Sequence, residues 1–146
     1  MSTDDEGYRA ALRKAVGRAL ASHGGERAAE LNEGVDPANG VWGVDVTPTQ
    51  PGATPAYVVH QDGSDEVTVG FGQTHVYLWD KDPEVLADEI EQILMGVFAG
   101  RIVEAGRAGN SFARVTRRDG STTVVGAMHL PIPWRFRRGR SYQPYS

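Results

Sequence analysis

Residues 66–98 constrain the fold more tightly than any other stretch, because two different periodicities meet there within a few residues. Over 66–79, EVTVGFGQTHVYLW, the apolar Val67, Val69 and Phe71 alternate with polar or small neighbours, the period-two pattern of a half-buried strand. From Asp82 onward the period changes. Leu86, Ile90, Ile93, Leu94 and Val97 recur every three to four residues and form one stripe of an amphipathic helix. Asp82 before Pro83 starts that helix, Glu84, Asp88 and Glu89 lie toward its positive end, and Gly100 stops it. A chain with a strong strand and a strong helix this close together must build a sheet and cover it with helix. Gly70 and Gly72 read as a bulge or bend within one strand, which changes the face that His75, Tyr77 and Trp79 occupy.

The remaining segments extend this pattern. Over 6–22, Tyr8, Leu12, Val16 and Leu20 line one helical face, with Ala11, Ala15 and Ala19 beside them. Thr3 or Asp4 can cap that helix, and Gly24-Gly25 ends it. Residues 24–40, rich in Gly, Glu and Asn, read as a mobile connection with at most a short turn. Strands are expected at 41–47 and 56–61 ahead of 66–79, which gives three strands over 41–79. The helix follows at 82–99 and further strands at 101–127. The Asp119-Gly120 pair predicts a two-residue turn, with Arg118 opposite Ser121 and Val115 opposite Val124. The last stretch, 130–146, reads as an extended basic tail, tied down at Trp134 and loose at its end. The expectation is one α+β domain over 1–146. It is a two-layer sandwich whose antiparallel sheet of about five strands carries two helices on one face.

Composition removes several functional classes. The 146 residues include no cysteine, so disulfide frameworks, thiolate metal sites and cysteine nucleophiles are excluded. No apolar run approaches the 18 or so residues of a membrane span, and the start MSTDDEGYRA lacks the order of a signal peptide. A cytoplasmic protein is expected, with no membrane partner. Gly70-Phe71-Gly72 has no following helix, Lys and Ser/Thr of a phosphate loop. His23, His60, His75 and His129 lack metal-ligand spacing, and no serine stands in a nucleophile elbow. His60 and His75 are spaced so that a hairpin could bring them face to face, although packing is the commoner role for a strand histidine. No catalytic residue, metal or cofactor is assigned.

The charge distribution says more than its net value of −4. Residues 1–100 carry 6 Lys or Arg against 17 Asp or Glu, whereas residues 101–146 carry 9 Arg against Glu104 and Asp119. Acidic clusters at Asp62, Asp65 and Glu66 and at Asp80 and Asp82 flank the strand 66–79, which ends in Tyr77 and Trp79. An aromatic anchor with an acidic rim suits a basic protein partner, so these seven residues are the expected partner-binding set. The alternative is nucleic-acid binding by the tail. There Trp134 and Phe136 alternate with Arg135, Arg137, Arg138 and Arg140, an arrangement that can stack on bases and pair with phosphates.

One family resemblance accompanies this reading. VTVGFGQTHVYLWD followed by EVLADEIEQILMGVFAGRIVE resembles a pattern in small immunity proteins of bacterial polymorphic toxin systems. The matching positions are Val67 to Phe71, His75, Ile90, Ile93, Leu94, Gly100 and Glu104, within residues 66–105. Relatives often carry an acidic or aromatic residue beside a second histidine; this chain has Tyr77 and Trp79 there. The resemblance implies a protein without catalysis that binds and neutralises one toxin domain. The α-β-β-β-α-β-β order also resembles dimeric secretion-chaperone domains that hold an extended client, which leaves monomer and dimer both open.

Overall fold

The computed structural model describes residues 3–107, 110–126 and 139–146. Helix α1 (Thr3–Ala21) is followed by a short 3-10 turn (Gly25–Arg27) and then by five strands. These are β1 (Ala29–Asp36), β2 (Val41–Pro48), β3 (Ala56–Gln61), β4 (Glu66–Phe71) and β5 (Thr74–Trp79), a wholly antiparallel meander in sequence order. Helix α2 (Pro83–Phe98) leads into a second antiparallel sheet of β6 (Ile102–Arg107), β7 (Asn110–Thr116), β8 (Thr122–Gly126) and β9 (Arg140–Ser141), ordered β8-β7-β6-β9. The α+β class read from the sequence holds. The sheet content is larger than expected, with five strands between the helices instead of three. No helix among the described residues is long and apolar enough to cross a membrane.

One face of the meander makes the core. Trp42, Val44 and Val46 on β2, Val58 and His60 on β3, and Val67, Val69 and Phe71 on β4 are all buried. They join Tyr8, Leu12, Val16 and Leu20 of α1 and Leu86, Ile90, Leu94 and Val97 of α2. The two helices run parallel. A Cβ on Gly7 would stand 4.0 Å from Pro83, Arg18 pairs with Glu91 at 3.1 Å, and the His23 and Phe98 rings meet edge-on at 6.5 Å. Small side chains at Ala11, Ala15 and Ala87, all buried, let the helices approach closely. Both helix N-termini therefore lie at one end of the molecule and both C-termini at the other.

Four expectations need correction. Residues 24–40 are not a loose connection, because 29–36 form the edge strand β1, paired along its length with β2. Ala29, Leu31 and Val35 fall on one face, but Glu33 interrupts the alternation and only Ala29 of the eight residues is buried, so the apolar trace in the sequence is weak. Residues 66–79 are a hairpin and not one bent strand. Gly72, with φ +56°, and Gln73 form a two-residue loop with Phe71 paired to Thr74. A glycine at the first loop position is what a type II′ turn takes, and its twist suits the flanking strands. The β7–β8 loop has three residues, because Arg117 and Ser121 pair while Val115 faces Thr123 and Arg114 faces Val124. Lastly, the chain end is held: Tyr145 is buried, its hydroxyl donates to Thr54 O at 2.7 Å, and Gln143 N donates to Gly52 O. Trp134 lies outside the described residues.

Candidate functional site: an acidic and aromatic sheet face

The hairpin turn at Gly72-Gln73 decides the geometry of the expected partner-binding residues. Because β5 folds back on β4, Glu66 pairs with Trp79, Thr68 with Tyr77 and Gly70 with His75. The two acidic clusters, expected at opposite ends of one strand, thereby meet at the same end. Asp80 N donates to Asp65 O at 3.2 Å and closes that end. Side-chain alternation sends Tyr77 and Trp79 to the face opposite the helices. There they are 52% and 68% exposed, the latter the largest exposure among the big apolar side chains described. His75 joins them, its ring edge-on to Tyr77 at 5.3 Å.

The same face continues across the sheet through Tyr57, which is paired with both Asp45 and Gly70. The Tyr57 ring lies over Gly70, where an added Cβ would come within 2.1 Å of the ring carbons. Glycine at position 70 is thus the seat of an aromatic side chain. None of the five strands contains a lysine or arginine, whereas Glu30, Asp36, Asp45 and Glu66 all alternate onto this outer face.

The acidic end is partly structural. Asp62 pairs with Arg9, Asp5 accepts from Gly63 N at 2.8 Å, and Asp82 caps α2 by accepting from Glu84 N at 3.0 Å. Asp80 accepts from Asp82 N at 2.8 Å. Asp65 and Glu66, by contrast, have carboxylates without a partner among the described residues. Tyr8 reports the local field: burial first, then Asp65, Asp80, Asp4 and Asp82, hold its hydroxyl above the usual phenol range. Both helix N-termini sit at this end, where their positive dipole ends favour these carboxylates. A cleft of about 420 Å³ lined by Asp4, Asp5, Tyr8, Ser64, Asp65 and Lys81 opens between them.

His60 and His75 do not face each other. His60 is wholly buried on the helix side of β3, stacked on Tyr8 at 5.1 Å, whereas His75 is on the outer face. The 2.8 Å contact of His60 Nε2 with Ser64 O makes Nε2 the donor, since a carbonyl only accepts. Among the described residues no group of acidic or histidine side chains has the arrangement of a metal site.

A second polar cluster escaped sequence reasoning altogether. Glu104, fully buried on β6, accepts from Thr74 Oγ1 at 2.5 Å, Gln73 N at 2.8 Å, Tyr142 Oη at 2.6 Å and the Arg140 guanidinium at 3.2 Å. With both oxygens satisfied by four partners, this carboxylate ties the β4–β5 turn, β6 and the chain end together. Burial and the adjacent Glu104 raise the Tyr142 hydroxyl above its ordinary range. Arg140, one of the arginines considered for nucleic acid, is thereby committed to Glu104 and to Gly106 O. Trp134, Arg135, Arg137 and Arg138 lie outside the described residues. A lone Glu in an apolar strand was the available signal, yet its partners are about 30 to 38 residues away in sequence. Tyr57 was missed because nothing local shows that a glycine on the next strand will seat its ring.

Comparison with protein-family models, with curated proteins and with solved structures gives no match.

Proposed function

We propose that the chain is a non-catalytic binding module that receives a basic protein partner on the outer face of β1–β5, as an immunity protein receives a toxin domain. The observation that carries this reading is Trp79, 68% exposed beside Tyr77, with the unpaired carboxylates of Asp65 and Glu66 at its edge. Interfaces concentrate their energy in a few aromatic anchors, while charged rims steer association and set specificity. A strand face without a single cation and with several carboxylates rejects acidic partners and accelerates basic ones. Asp82 contributes to the field from the cap of α2, whereas the charge of Asp62 is offset by its ion pair with Arg9.

The test is affinity capture from the native host, with wild-type, Trp79→Ala, Tyr77→Ala and Asp65→Asn/Glu66→Gln baits compared by quantitative mass spectrometry. The expected result is one basic protein enriched on the wild type and lost from the Trp79→Ala bait at unchanged bait stability. Its association with the double acidic variant is slower at low salt and nearly normal at high salt. A partner retained equally by every variant, or one of acidic character, overturns the reading.

A further inference from the structure

The end of the molecule opposite the acidic end, where both helices terminate, carries a second, unassigned cavity. It encloses about 450 Å³ and is lined by Ser22 and His23 after α1, Met95 and Ala99 of α2, and Arg101 and Arg118. Neither guanidinium makes a hydrogen bond or ion pair among the described residues. His23 lines the same cavity as these two exposed arginines, and burial first, then Arg101 and Arg118, hold its pKa below the ordinary histidine value. Asp119 forms no ion pair with either arginine; its carboxylate accepts from Ser121 N at 2.9 Å and Ser121 Oγ at 2.6 Å.

A bland role for the arginines would be to cap helix carbonyls at the negative end of the dipoles. The carbonyls of α2 are already taken. Gly100, with φ +69°, closes a complete Schellman motif in which Gly100 N donates to Val97 O at 3.0 Å and Arg101 N to Gly96 O at 2.9 Å. Met95 O accepts from Ala99 N, and Phe98 O accepts from Tyr145 N. At the end of α1, Ser22 N and Oγ both donate to Arg18 O, and His23 N donates to Leu20 O. Two arginines and a histidine therefore line one cavity, and among the described residues no hydrogen bond commits either guanidinium to a helix carbonyl.

We infer that this cavity is an anion site for a small organic phosphate: Arg101 and Arg118 grip the phosphate, His23 donates to it, and Met95 and Ala99 floor the organic part. Guanidinium forks match phosphate oxygens two at a time. The volume is that of a small-molecule pocket and exceeds what inorganic phosphate fills. The site is independent of the proposed partner face, so neither reading depends on the other.

Calorimetric titration of the full chain with AMP, inorganic phosphate and benzoate tests the inference, with the His23 ring followed by NMR. The expected result is 1:1 AMP binding that shifts the His23 resonances. AMP should bind about tenfold tighter than phosphate or benzoate, and about tenfold weaker in Arg101→Gln/Arg118→Gln. Arg27→Gln, an exposed arginine outside the cavity, controls for general charge loss and should leave the affinity unchanged. Thermal melts show whether each variant is folded, and the single Arg118→Gln variant stands in if the double one is not. No saturable binding by about 10 mM, equal affinity for all three probes, or a loss matched by Arg27→Gln overturns the inference.

Discussion

Trp42 and Trp79 show how one residue type acquires opposite roles from the face its strand presents. Trp42, 1% exposed, lies under α1 with the Arg13 guanidinium 5.9 Å from its ring centroid, whereas Trp79 stands in solvent. Trp42→Ala should lower unfolding free energy by about 3–5 kcal/mol, and Trp79→Ala by less than about 0.5 kcal/mol. Denaturant titration checks both, and a comparable loss at Trp79 would place it in the core and remove it as an anchor. His23 gives a pH prediction. Its folded-state pKa lies below the ordinary value, so the unfolded chain takes up the proton first as pH falls. Stability should therefore be unaffected by this group above about pH 7 and decline as pH falls through the ordinary histidine range. His23→Gln should flatten the slope between about pH 7 and 5, measured by denaturant midpoints; an unchanged slope would show that the ring is not perturbed.

At the level of elements, the chain end behaves as a strap and not as a tail. Residues 139–146 deliver Arg140 and Tyr142 to the buried Glu104, and Tyr145 to the core beside Phe98, whose ring lies 4.4 Å away. Tyr145→Phe removes only the hydrogen bond to Thr54 O and should cost about 1 kcal/mol. Tyr145→Ala should cost about 3–5 kcal/mol, through the lost transfer energy and the cavity left behind. Thermal melts distinguish these outcomes, and a neutral Tyr145→Ala would show that the strap does not contribute. The cap of α2 is the smaller term at this scale. Asp82→Ala should cost about 0.5–2 kcal/mol and shorten the helix at its first turn, readable as loss of amide protection there.

For the molecule as a whole, parallel packing of α1 and α2 separates charge. Two positive dipole ends share one pole with Asp4, Asp5, Asp65, Asp80 and Asp82, and two negative ends share the other with Arg101 and Arg118. A partner met at the acidic pole should therefore associate at a rate that falls steeply with ionic strength, while dissociation changes little. Stopped-flow association at low and high salt checks this. A salt-independent rate would assign the binding energy to the aromatic residues alone.

The sequence by itself determined the elements whose signals are local. Period-four spacing of Tyr8, Leu12, Val16 and Leu20 and the Asp82-Pro83 start located both helices, and alternation at Val67, Val69 and Phe71 located β4. It also determined the α+β class, which follows from those periodicities, and the uneven distribution of charge along the chain. Tertiary structure decided what rests on long-range pairing. The edge strand β1 buries one residue and owes its existence to β2. A turn at Gly72-Gln73, in place of a bend, brought the two acidic clusters together and put Trp79 on the open face. Glu104 found its hydroxyl, amide and guanidinium partners only once the chain end returned to β6. A buried carboxylate must be matched by groups from wherever the fold can supply them, and that matching is a property of the assembled chain.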